Sequence, residues 1–242
     1  MERVTRARTQ FRVGVAVALT LLAAPAAAQS AATEIPEVKP LGNERFQIGK
    51  VIVDQRAHTL TVSGRVLRTE PPLEYIAVSV GGVKGYESLL ELDATGIEFN
   101  LACILLGLSN DDVVLPRYQF DRELAIGPPV AMRVGWGSAG EHKEYEVAEL
   151  LWSDGKSGSS GDWVYTGSYN DAGDPSPYMA QLLGTLIGFV HDPASVIEHR
   201  VGIGIGAYGS IGGNVDLLPE VGTELTLTVE NRSAPSGEGA PR

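Results

Sequence analysis

Five consecutive residues, Lys84-Gly85-Tyr86-Glu87-Ser88, hold the densest chemistry in this sequence. A hydroxyl can act as a nucleophile, a carboxylate can take its proton, and an ammonium can hold down the pKa of either neighbour. Side chains alternate along an extended segment. Read that way, Lys84, Tyr86 and Ser88 share one face and Glu87 takes the other, which is also the ordinary make-up of a charged strand edge. With Asn100, on the helix that follows, these residues form the candidate binding cluster: Lys84, Tyr86, Glu87, Ser88 and Asn100. No residue is assigned a catalytic role, because no nucleophile-elbow pattern frames a serine.

Other patterns carry less. Gly204 to Gly209 matches G-x-G-x-x-G, but Ser210-Ile211-Gly212-Gly213 follows where a dinucleotide site needs a helix. His58, His142, His191 and His199 are scattered without zinc spacing. Asn170 to Asp174 groups carboxylates in a loop but lacks the calcium-loop spacing and its distal Glu. Neither metal nor cofactor is expected. Cys103, the single cysteine, sits in Leu101-Ala102-Cys103-Ile104-Leu105 and reads as a small core residue, with no intramolecular disulfide possible.

The elements that must position this cluster are mostly strands. Phe46–Val53 and the alternating Thr59–Val66 suggest an antiparallel hairpin, followed by strands over Tyr75–Val80 and Tyr86–Leu92. Thr95 and Glu98 have capping-box spacing and open a helix to about Leu108, apolar on both sides and therefore expected to be buried. Val130–Trp136, Lys143–Val147, Trp163–Thr166 and Leu225–Val229 read as further strands. Ala180–Val190 reads as a long or bent buried strand, and Asp192-Pro193 as the start of a short second helix, about Pro193–His199. The predicted class is α+β: predominantly antiparallel β with one buried central helix and a short second one.

The N-terminus is basic through Arg3, Arg6, Arg8 and Arg12, then apolar from Val13 to Ala24, then Ala26-Ala27-Ala28. This is the form of a signal peptide, residues 1–28, with cleavage expected after Ala28 and a periplasmic or secreted product. Residues 29–44 read as a flexible tether, 45–231 as a single domain, and 232–242 as a disordered tail. The net charge of −11 becomes −14 once the four Arg and one Glu of residues 1–28 are removed. Such a chain repels phosphate backbones, so no nucleic-acid partner is expected, nor any stable membrane span after cleavage.

Lys84 to Leu90, followed by Asn100 to Gly107, resembles the signature of YdjY-like domains of bacterial exported proteins, which typically carries Lys-x-His-Glu-Ser-Leu and then Leu-His before Ala-Leu-Leu-Leu-Leu-Gly. Gly184 to Ala194 and Leu218 to Val229 resemble its C-terminal half, so the likeness spans about Phe46 to Asn231. It implies an extracytoplasmic domain of unestablished function. Tyr86 and Asn100 stand where that pattern has histidines, while Glu87 and Ser88 match it. The expected function is a non-enzymatic binding or envelope-associated module for a peptide, glycan or protein partner. The alternative is a hydrolase-like or metal-dependent enzyme using the Lys84–Ser88 cluster.

Overall fold

The computed structural model describes residues 35–233 except 138–139, 154–155, 158–160, 174–175 and 206–208. The expected signal peptide, residues 29–34 of the tether, residues 234–242 of the tail, most of the Gly/Ser loop after Ser153, Asp174 and the centre of the Gly204–Gly209 run lie outside the described residues. In chain order the elements are β1 (Val38–Gly42), β2 (Arg45–Ile48), β3 (Val51–Asp54), β4 (Thr59–Val66), β5 (Tyr75–Ser79), β6 (Ser88–Leu92), α1 (Gly96–Leu105), β7 (Pro129–Trp136), β8 (Lys143–Glu146), β9 (Leu151–Ser153), β10 (Lys156–Ser157), β11 (Trp163–Tyr165), α2 (Met179–Leu183), β12 (Thr185–Gly188), β13 (Ile197–His199), β14 (Gly212–Gly213) and β15 (Glu224–Asn231).

The alternation seen in the sequence decides what the strands build. Leu60, Val62 and Val66 of β4, Met132 and Val134 of β7, and Leu227 and Val229 of β15 are all buried, and they face one interior. The strands close around it in the order β4, β15, β7, β11, β13, β12, β5, β6 and back to β4. Eight strands leave an interior that side chains just fill. Pairings around the barrel are antiparallel except β5 with β6 and β12 with β13, which are parallel. One edge of β4 is shared. Thr59–Thr61 pair with β3, and Gly64–Val66 pair with β6, so the β1–β2–β3 meander peels away from the barrel wall. β9, β10 and β14 form a separate small sheet.

The strand registers define one barrel end at the C-termini of β5, β6, β11 and β15. α1 leaves β6 there and packs on α2, β2, β3 and β12. Its capping box is complete: Thr95 Oγ1 accepts the Glu98 N–H at 3.2 Å, and Glu98 Oε2 accepts the Thr95 N–H at 2.8 Å. Gly96 permits the close approach of α2, since a Cβ there would lie 2.4 Å from the Ala180 carbonyl. Gly107, at φ +91°, turns the chain out of the helix.

Among the described residues the fold is mostly β with two α-helices, and several local expectations need correction. α1 is buried on one face only. Phe99, Ala102, Cys103 and Leu106 enter the core, whereas Ile104 is 50% exposed. The expected helix at Pro193–His199 is absent. Asp192 Oδ1 accepts the Ala194 N–H and its carbonyl accepts the Ser195 N–H, which makes a turn. Ile197–His199 then enters the barrel as β13, where ladder bonds to β11 and β12 outweigh local helix signals. The short helix lies earlier, at α2, over the start of the segment expected to be one strand. It ends at Gly184, φ +72°, before β12 begins. Residues 38–42, within the expected tether, form strand β1. Phe46–Val53 is two strands, split at Gly49, φ +54°.

Candidate functional site

Between β5 and β6 the chain makes a connection, residues 80–87, whose two halves do different things. Gly85–Glu87 is a turn of 3₁₀-helix, not an extended strand start. With three residues per turn, positions three apart lie over one another. Lys84 and Glu87 therefore share a face, contrary to the alternation expected from the sequence, and Lys84 Nζ meets Glu87 Oε1 at 2.7 Å. Ser88 is fully buried, and its Oγ donates to the Lys84 carbonyl at 2.7 Å, bracing the turn. Tyr86 is 61% exposed, and its ring lies 5.8 Å from Lys84 Nζ. Asn100 does not join them. It sits on α1, where its Oδ1 accepts the Tyr165 hydroxyl at 2.7 Å, at the barrel end where β11 finishes.

Residues distant in sequence complete the cluster. Glu74, just ahead of β5, is buried and accepts Gln119 Nε2 at 2.6 Å on Oε2, and its N–H donates to the Glu87 carbonyl. Lys84 Nζ lies 5.8 Å from the Tyr75 ring centroid. The Tyr75 hydroxyl donates to Asp192 Oδ2 at 2.6 Å, and the Asp192 N–H donates to Glu198 Oε1 at 2.9 Å. Lys84 thus sits beside the buried carboxyl groups of Glu74 and Glu87, and those of Asp192 and Glu198 follow beyond Tyr75, so buried acids outnumber the ammonium.

The electrostatics follow from that imbalance. Burial, and then the charge of Glu87, push the Glu74 carboxyl up to about 7, against the opposing pull of Lys84 and Gln119. Burial holds Glu198 well above the usual carboxylate range. Burial pulls Lys84 down, but the hydrogen bond and charge of Glu87 more than offset it and leave the ammonium above its ordinary value. Ser88 donates its proton to a carbonyl and Lys84 is held by Glu87, so the cluster assembles no activated nucleophile. A carboxyl pushed up to about 7 beside a second carboxyl is suited to proton transfer, yet Glu74 and Glu87 are both buried. Among the described residues, no group of three or more His, Cys, Asp or Glu could hold a metal ion.

The outer half of the connection is open. Ser79 to Val83, the N-terminal turn of α1 and residues 181–184 enclose a cleft of about 420 Å³. Val80, Val83 and Leu182 stand exposed on its rim. Gln181 Oε1 takes the Ile97 N–H, and Lys50 and Asp93, which also line the cleft, pair at 3.0 Å. The YdjY domain model matches residues 51–230. The chain belongs to the YdjY domain family. No curated protein and no solved structure matches it.

Within this YdjY domain, the sequence put Lys84 and Glu87 in one cluster, though on opposite faces, and missed Glu74, Tyr75, Gln119 and Asp192. Tyr75 and Asp192 are 117 positions apart, and only closure of β12 onto β5 brings them together. One local signal was present: Glu74 adjoins an otherwise apolar strand, a placement that demands a partner once buried.

Proposed function

We propose that this YdjY domain is an exported, non-enzymatic binding module whose partner docks on the outer half of the β5–β6 connection. One observation carries the reading. The polar groups of Lys84, Glu87 and Ser88 are committed to each other and to backbone, while the same connection presents Val80 and Val83 beside Leu182 at the mouth of an open cleft. Exposed apolar groups around a concavity are the usual mark of a recognition surface. Export rests on the basic and apolar run of residues 1–28.

Amide chemical-shift mapping on residues 35–233 tests the docking, using synthetic decapeptides and soluble murein fragments as probes. Binding should perturb residues 79–83 and 181–184, and Leu182→Asp should abolish it. Turnover of a probe that is lost in Glu87→Gln would overturn the reading in favour of the enzyme alternative, which the near-neutral Glu74 beside Glu87 favours. Fractionation of cells expressing the chain with and without residues 1–28 checks export.

A further inference from the structure

The cleft does not stop at its rim. Asp93 lines it, and also lines two further clefts of about 460 and 220 Å³ on the outer barrel wall. Lys50 is common to the first and second, Val80 to the first and third, and Gly64 and Glu224 to the second and third. The three are one groove. It starts at His142, whose ring lies against Gly135 of β7, where a Cβ would come within 2.8 Å of it. From there it crosses β15, β4 and β6 to reach the Ser79–Val83 loop. From β7 to β5 that path spans four inter-strand spacings, about 19 Å at roughly 4.8 Å each, or about six extended residues at about 3.3 Å per residue.

Charge selects the occupant. The groove carries the carboxylates of Glu91, Asp93, Glu98 and Glu224 against the cations Lys50 and Arg65. Arg65 is paired with Glu91 at 2.6 Å. Its cross-strand neighbour Glu224 has no ion-pair partner among the described residues. Lys50 holds Asp93 with a side chain that is 69% exposed, and an exposed ion pair of this kind is worth at most about 1 kcal/mol. The far end, at Val80, Val83 and Leu182, is apolar.

We propose that this groove binds an extended basic peptide segment, its cationic side chains on Glu224 and Asp93 and an apolar residue at its end in the cleft. The inference rests on the binding reading above and adds the class of partner.

Fluorescence polarisation with a labelled octapeptide of alternating Lys and Thr ending in two Leu tests it. Matched peptides with Ser or Glu in place of Lys, and chitotetraose as a neutral glycan, complete the set. The basic peptide should bind most tightly and weaken with salt. Glu224→Gln and Asp93→Asn should each cost about three- to five-fold, as for an exposed ion pair, while Glu123→Gln, exposed and outside the groove, should not. Equal affinity for the Ser peptide, equal loss in Glu123→Gln, or preference for chitotetraose would overturn the basic-peptide assignment. If Leu182→Asp still abolishes that non-selective binding, the docking reading stands and only the partner class fails. If no probe binds, both fall.

Discussion

Glu74 takes up a proton near neutrality because burial and the charge of Glu87 both oppose its ionisation. The linkage has a definite sign. Its pKa rises from 4.5 in the open chain to about 7 in the fold, so the folded state binds more protons between those values and stability falls as pH rises through that window. Gln at this position keeps the shape of the neutral acid. Glu74→Gln should therefore raise the melting temperature relative to the parent at pH 8, and the difference should vanish below pH 4.5. A thermal melt series across pH checks this, and a difference independent of pH would show that Glu74 is not the titrating group. Ser88 illustrates the limit of residue types as evidence. Its hydroxyl sits in a nucleophile-like setting in the sequence, but in the structure it closes a turn.

At the scale of elements, α1 shows local and tertiary information agreeing at one end of a helix and parting along its length. The Thr95–Glu98 capping box is a contact between residues three apart, and it forms as its spacing predicts. Thr95→Ala should lower stability by about 1 kcal/mol, the usual worth of an N-cap hydroxyl, measured by urea unfolding. The exposure of Ile104 depends on which neighbours arrive, so a run apolar all round could not reveal it. The segment Asp192–His199 is the opposite case. A Pro after an Asp suits a helix start and a turn equally, and the vacancy between β11 and β12 selects the turn and strand.

For the whole molecule, barrel closure sets the boundaries of the folding unit. The family match begins at Val51, but β2 lies before it, carrying fully buried Ile48 and paired along β3. A fragment of residues 51–230 should be less stable than residues 35–233 by at least about 2 kcal/mol, the cost of losing a buried Ile. Denaturant midpoints of the two fragments decide it, and equal midpoints would show that the β1–β2 hairpin is dispensable. The same closure makes the acidic groove, since Arg65, Glu91 and Glu224 meet only because β4 pairs with β6 on one side and β15 on the other.

By itself the sequence determined what depends on neighbours a few positions apart: most strands, the cap of α1, the core role of Cys103, and a family signature around Lys84–Ser88. It also placed Lys84 and Glu87 in one cluster, though on the wrong faces, because a 3₁₀ turn and a strand start differ by one backbone hydrogen-bonding choice. Only the tertiary structure decided that the sheet closes, that two of the described pairings are parallel, that Asn100 belongs to Tyr165, that Glu74 and Tyr75 lie beside Lys84, and that Tyr75 bonds to Asp192. Those contacts join residues far apart along the chain. The free energy that selects them comes from burying the faces of many strands at once, a quantity no single stretch of sequence contains.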